Sequence, residues 1–396
     1  MNLCMPYLSV YMLALGLNDT RIGFIVTITT LSQIVFSFLS GPITDKMGRR
    51  MSTALFDTIA WCLPALIWWR AGFSDQNIWF FLIAAILNGT MAVTANSWTC
   101  LLIEDAKKSQ VTNIFSIVVA CGQFSAFFAP ISSILISKLT LVPAIRILYI
   151  NACILMLIKI IILYFASKET NIGRKRILET SGKNIFQLTG GYGGVIRIIL
   201  GSKGMIFSVM IAALIGIVGM INNTFWQIIV SRKLFITESI LPFFMVLRSI
   251  LAIIFLFFVI PRLTRGLLKI PLVLGFAGYF VGQSLLIMVP AEGMLKFPLL
   301  CVSLVFDSFG LGILGMLSES LISLHANPDE RAGIMAIRFM FIMAAVAPFG
   351  WFAGFLSDMS RNFPFVLNLV LLAAGIVVTL LYYGRNTDHS AEHEHG

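Results

Sequence analysis

The sequence predicts an all-α polytopic membrane protein, with twelve transmembrane helices arranged as two six-helix halves. Three observations carry that expectation. Of the 396 residues, 58% are hydrophobic and 12% charged. Soluble globular domains carry about 25% charged residues, so a soluble chain of this composition could not cover its own surface. The apolar residues also fall into runs long enough to cross a bilayer, which takes about 20 residues of helix. Finally, these runs number twelve, and the longest polar interval leaves six on either side.

In chain order the expected spans are 3–17, 22–41, 51–70, 77–100, 112–137 and 145–166, then 204–230, 240–260, 270–289, 297–324, 332–357 and 364–384. The first is short. At 1.5 Å per residue it makes about 22 Å of helix, against a hydrocarbon core of about 30 Å. The expected reading is a first helix truncated at its start, and the alternative is a short helix that thins the bilayer around it. The expected division is an N-terminal bundle 1–166, a basic cytoplasmic linker 167–203, a C-terminal bundle 204–384 and a disordered tail 385–396. Within the linker, residues 192–200 are apolar enough to lie along the membrane interface as a short helix. The tail carries His389, His393 and His395, read as solvated, so no metal is expected.

Net charge is +10, which in a soluble protein would suggest nucleic acid. Here the basic residues sit between apolar runs and read as topology determinants. Alternate loops carry 17 and 8 of the 28 Lys and Arg residues, with the remaining three inside spans. The richer set, which includes the C-terminus, is expected in the cytoplasm of a plasma-membrane protein. No P-loop, HExxH or GxSxG run occurs. That argues against ATP drive and against an enzyme, and no cofactor is expected. Cys4, Cys62, Cys100, Cys121, Cys153 and Cys301 lie in apolar runs without metal-ligand spacing.

Two features repeat between the halves. The fifth and eleventh spans carry Ala129-Pro130 and Ala347-Pro348, and the fourth and tenth end in acidic residues. Such repeats are common in secondary transporters. The loop after the second span reads Gly41-Pro42-Ile43-Thr44-Asp45-Lys46-Met47-Gly48-Arg49-Arg50. Its glycines permit close approach and a tight turn. It resembles the signature loop of the major facilitator superfamily, G-x-L-x-D-R-x-G-R-R/K, with Ile43 and Lys46 as mild departures. The resemblance implies that fold and an alternating-access carrier. It also implies a gating role for Gly41, Asp45, Gly48, Arg49 and Arg50, in which Asp45 helps to hold the cytoplasmic side closed. The second-half counterpart, Pro261 to Gly266, keeps basic residues but lacks the aspartate. Drug antiporters of the superfamily carry an arginine where Ala85 stands and a Gly-Pro-x-x-Gly-Gly run near Ala129-Pro130, so both positions count against that reading.

Ionisable residues inside spans are costly and are functional candidates. Arg248 in span eight and Asp307 in span ten lie at similar depth and are expected to pair, as an anion site with a proton-carrying partner or as a static staple. Glu319 and Arg338 match in depth nearer the cytoplasm and are expected to form a gating pair. Asp57 is expected to join the network of Asp45, and Lys159 to snorkel. In the superfamily, spans one, four, seven and ten line the cavity. On that basis Tyr7, Tyr11, Asn88, Asn96, Asn222, Asn223 and Trp226 are candidate lining residues with Asp307. Gln33, Trp98, Gln123, Asn151, Gln227 and Gln283 are further polar or aromatic candidates. The expected function is secondary active transport of a small polar or organic solute, coupled to a proton or other ion, by a monomer in the lipid bilayer. The alternatives are a drug or toxic-compound exporter and a non-transporting sensor on the same scaffold.

Overall fold

The computed structural model describes residues 3–396 except 75, 108–109, 111–113, 115–116, 119–120, 123, 190–200, 260–267, 326–330 and 394–396, and no side chains at 126, 186, 189, 256, 259, 319–336 and 385–393. Among the described residues every regular element is helical. The helices are α1 Met5–Ala14, α2 Asp19–Met47, α3 Arg49–Ala71, α4 Ile78–Ile103, α5 Ala129–Leu139 and α6 Leu141–Ala166. After the linker come α7 Lys203–Lys233, α8 Leu241–Ile254, α9 Lys269–Met288, α10 Lys296–His325, α11 Arg331–Met359 and α12 Phe363–His393. Nine of the described helices are long and apolar enough to cross a membrane, with Met5–Ala14 and Ala129–Leu139 as shorter apolar helices.

Local chemistry sets the boundaries. The Asn18 side chain caps α2 by accepting from the Arg21 N–H at 3.2 Å, and Ser202 caps α7 at Met205, as helix starts require. Gly48, at φ +84°, turns the chain from α2 into α3. A Cβ there would come within 2.7 Å of the Glu169 carboxylate, so the turn needs glycine. Wide π turns interrupt α3 at Thr58–Cys62 and end α7 at Ile229–Lys233, a feature frequent near functional sites.

Two regions differ from expectation. The linker forms a helix at Asn171–Thr180, started by the Thr170 hydroxyl accepting from the Gly173 N–H. The interfacial helix expected at 192–200 lies outside the described residues. In addition, α12 continues to His393 instead of giving way to a disordered tail at 385, because no proline follows Gly384 to stop the backbone ladder.

Glycines let several helices touch backbone to backbone. A Cβ at Gly23 of α2 would come within 2.2 Å of the Gly350 carbonyl and 2.9 Å of the Gly354 Cα in α11. Similarly, Gly282 of α9 and Gly310 of α10 bring those helices together, with the Asp307 carboxylate 2.4 Å from a Cβ at Gly282. The first-half core is aromatic. Tyr11 packs edge-on against Tyr149 at 5.7 Å and donates to the Trp68 carbonyl at 2.8 Å.

Candidate functional site

Arg248 of α8 and Asp307 of α10 lie 3.6 Å apart across the second half. The two side chains are held in different ways. Asp307 is buried, and the Gln283 amide of α9 donates to both of its carboxylate oxygens at 2.9 and 3.0 Å. Gln283 is fixed in turn by Asn368 of α12, which donates to its oxygen at 3.0 Å. Its amide also reaches the Asn222 oxygen of α7 at 3.5 Å. Arg248 instead lies over the Trp226 ring, 4.5 Å from its centroid, and Phe244 packs edge-on against that ring. At 3.6 Å its contact with Asp307 is an ion pair without a hydrogen bond, and one guanidinium nitrogen is buried without a partner.

Two cavities touch this pair and a third adjoins one of them. One of about 290 Å³ lies between Arg248 and Asp307, with Asn222, Ser249 and Ser308 in its wall. Another of about 430 Å³ lies on the α1 and α5 side of Arg248, lined by Asn223, Gln227, Met245 and Met5. The third, of about 600 Å³, sits between the halves and shares Met5 and Asn223 with the second. Its walls include Met12, Trp61, Trp68, Asn88 and Met91 from the first half and Met220 and Met343 from the second. Among the described lining residues, Arg248 and Asp307 are the only charged ones.

The halves are clasped at the end of the bundle remote from the Gly41–Arg50 loop. The Asp358 carboxylate, in the last turn of α11, accepts from the Asp19 and Thr20 N–H groups at 3.0 and 2.9 Å and from the Thr20 hydroxyl. It thereby caps α2 from the opposite half, where the helix dipole favours an anion. Asp19 is fully buried, pairs with Arg361 and accepts from Ser357. Burial lowers the Arg361 guanidinium from its ordinary pKa. Deeper in, the Thr27 hydroxyl donates to the Ala347 carbonyl and accepts from the Trp351 N–H, both at 2.8 Å. The Ser133 hydroxyl of α5 donates to the Ser239 carbonyl.

At the other end the signature loop binds its own half and the linker. Arg49 is buried; its Nη1 meets Asp45 at 2.9 Å, while its Nε and Nη2 meet Glu104, which ends α4, at 3.0 and 2.9 Å. The Glu169 carboxylate accepts from the Arg49 and Arg50 N–H groups at 2.8 and 2.9 Å, capping α3. Arg50 turns away from Asp45, stacks on Tyr164 at 4.6 Å and donates to the Ser167 carbonyl. Lys46 donates to the Lys183 carbonyl.

Several expected positions need correction. Asp57 does not join the Asp45 network: it is buried against Lys159 of α6, so Lys159 ends in an ion pair and not only at the interface. Tyr7 and Tyr11 are buried and line none of the three cavities; the Tyr11 ring packs on Tyr149 of α6 and its hydroxyl is taken by the Trp68 carbonyl of α3. Asn96 ties α4 to the Thr44 hydroxyl at 3.4 Å and lines none of the three cavities. Asn88 does line the central cavity, and its amide takes the Ala60 carbonyl freed by the wide turn in α3. Asn222, Asn223 and Trp226 surround the pair. Arg338 donates to Ser318 at 3.1 Å. Gln123 and the Pro261–Gly266 loop lie outside the described residues, as does the side chain of Glu319. Sequence reasoning missed Asn368, Glu104 and Glu169 as partners, and also the Asp19–Asp358–Arg361 clasp. One signal for the clasp existed: Gly354-x-x-Ser357-Asp358 repeats the spacing of Gly41-x-x-Thr44-Asp45.

A profile described as the Major Facilitator Superfamily matches residues 1–230. An uncharacterized MFS-type transporter of Bacillus subtilis (strain 168), YqjV, is 26% identical over 133 residues, covering 33% of this chain and 31% of that protein. The aligned stretch thus spans about a third of that relative. The nucleoside transporter NupG superposes with a TM-score of 0.68 at 15% identity, covering 96% of this chain and 94% of that one. A peptide transporter POT variant with bound sulfate superposes at 0.71 and 15% identity, covering 97% and 91%. The xylose transporter XylE from E. coli, in a partially occluded inward-open conformation, superposes at 0.64 and 15% identity, covering 96% and 94%. At these identities the structures speak for the fold alone.

Proposed function

The chain belongs to the major facilitator superfamily, and from that premise we propose that it is a secondary active carrier for a small polar or organic solute, working by alternating access and coupled to protons. The observation that carries the reading is the Arg248–Asp307 pair, the only charge among the described residues lining the cavities. Carriers of this kind bind near the bilayer midplane where the two halves meet, and charge at that depth is retained for function. Arg248 is the solute-binding group and Asp307 the proton carrier. Trp226, Asn222 and Asn223 shape the solute seat.

The halves 1–166 and 204–384 rock about this site. The loop end, with the C-terminus, faces the cytoplasm of the plasma membrane, as the Lys and Arg distribution favours. The clasp of Asp19, Asp358 and Arg361 then shuts the outer end, and the arrangement described is closed to the outside. Asp45, Arg49, Gly41 and Gly48 act in the opposite closure, with Arg338 on α11. The carrier works as a monomer.

The test is uptake into proteoliposomes under an imposed pH gradient, using a solute selected by thermal-shift screening of metabolite pools. Arg248→Ala and Asp307→Asn are each expected to reduce gradient-driven uptake to the level of empty liposomes while leaving expression intact. Parental uptake in either variant would remove the pair from the mechanism.

A further inference from the structure

We infer that the solute is an organic monoanion with an apolar body, exchanged one for one with the Asp307 carboxylate on Arg248 and carried together with one proton. This deepens the reading given above and rests on it.

The first argument is the state of Arg248. A guanidinium has five N–H donors in a fixed planar fork suited to a carboxylate or other oxyanion. Among the described residues the Arg248 guanidinium donates no hydrogen bond. Its face is occupied by Trp226 at 4.5 Å and its one anionic neighbour stands off at 3.6 Å. Asp307, in contrast, is already satisfied by Gln283. The pair is therefore asymmetric: the carboxylate is held by the protein, and the cation keeps its donors for something else. A cationic solute would find the reverse of what it needs, because the exposed partner is the arginine, at 24% against 3% for the aspartate.

The second argument is charge. Among the described residues, no charged group other than Arg248 and Asp307 lines the three cavities. The space can match one net charge, at the Arg248 end. A dianion would leave a charge unmatched in a low-dielectric site, which is costly, and the ammonium of a zwitterion would have only Asp307 to meet, whose oxygens Gln283 already holds. Away from Arg248 the largest of the three cavities presents Met12, Met91, Met220, Trp61 and Trp68, with the hydroxyls and amides of Ser9, Thr29, Thr30, Gln33, Asn88 and Thr224 between them, and its surface is mainly apolar. Thioethers and indoles are adaptable apolar surfaces and suit a hydrocarbon or aromatic body better than a sugar. A cavity of about 600 Å³ lies within the roughly 300–1,000 Å³ usual for small-ligand sites.

The balance closes. In the empty carrier Arg248 and Asp307 cancel. When an anion takes the guanidinium, Asp307 loses its counter-charge in a buried position and takes up a proton. The titratable groups facing it are Arg248 from α8 and Tyr279 from α9, while α7 contributes the amide of Asn222. One anion and one proton enter, so the loaded site is again neutral and the cycle moves no net charge.

The experiment measures binding to the full-length protein in detergent by tryptophan fluorescence, using benzoate, phenylacetate and octanoate beside the matching amides and amines. We expect the carboxylates to quench and saturate, at lower concentration in acid than in alkali, and the amides and amines to give no saturable signal. Arg248→Ala is expected to abolish the signal. Asp307→Asn is expected to bind the carboxylates at least as tightly as the parent and to lose the pH dependence, although its gradient-driven uptake is gone. Saturable binding of amides or amines at equal or lower concentration overturns the monoanion assignment, as does binding of none of the carboxylates. Uptake that responds to membrane voltage at zero pH gradient overturns the one-for-one balance. Both results leave the carrier reading standing as long as Arg248→Ala and Asp307→Asn still abolish driven uptake. Loss of that effect instead removes the pair from the mechanism and this assignment with it, whereas a parent protein that drives no uptake of any screened solute defeats the carrier reading itself.

Discussion

Gln283 supplies to Asp307 the hydrogen bonds that Arg248 does not. Its amide nitrogen reaches both carboxylate oxygens and its oxygen takes the Asn368 amide, so one side chain ties α9, α10 and α12 together at the depth of the site. Gln283→Leu would leave the carboxylate without both donors and the Asn368 amide without its acceptor. An orphaned buried polar group costs about 1–3 kcal/mol. The variant is therefore expected to melt at a lower temperature in detergent, and a melting point equal to the parent's would show that the network holds nothing. Arg248 and Asp307 could be found in the sequence because a charge inside an apolar run stands out on its own. Gln283 could be noted only as one amide among several. Glu104 and Glu169 were not legible as partners of Arg49, since they lie 55 and 120 residues away along the chain. No local pattern encodes a contact over such distances.

At the scale of elements the decisive contact is α2 against α11. Three glycines allow it: Gly23 faces Gly350 and Gly354 with no room for a Cβ. A larger side chain at Gly23 must push the two helices apart at the clasped end. Overpacking costs about 1–3 kcal/mol, and every 1.4 kcal/mol is about tenfold in an equilibrium. Gly23→Leu is thus expected to shift the carrier roughly tenfold or more away from the clasped arrangement. In a cysteine-free background, a single cysteine at Thr27 should react faster with a membrane-impermeant maleimide added on that side when Gly23 is leucine. An unchanged labelling rate would mean that α2 and α11 do not separate there. The order of the apolar helices was legible, nine of those described being long enough to span, because a bilayer imposes a length on every apolar run. Helix rotation was not, which is why Tyr7 and Tyr11 were expected in the cavity and are found in the core. A short apolar helix looks alike on all sides in sequence, and only its neighbours decide which face is inward.

For the whole molecule, the two ends of the bundle are built from the same short pattern used in opposite ways. Near the loop end, Asp45 follows Gly41-x-x-Thr44 and pairs with Arg49 within its own half. At the far end, Asp358 follows Gly354-x-x-Ser357 and crosses to the other half, where it caps α2. An aspartate that holds a helix N-terminus across the interface can be released and remade without burying a new charge, since the freed carboxylate and N–H groups both meet water. Such a contact suits a joint that opens on every cycle better than packed apolar surface does. If the joint must open, tying it shut must stop the carrier. Cysteines at Thr20 and Asp358, whose side chains touch across the clasp, offer the tie. With a short thiol-reactive cross-linker, the Thr20→Cys, Asp358→Cys protein is expected to lose solute uptake in proportion to the fraction linked. Each single-cysteine protein should lose little under the same treatment. Binding of the solute from the loop end should survive the link, which separates a locked carrier from a damaged one. Uptake at the parental rate with the clasp fully linked would mean that the halves do not part at this end.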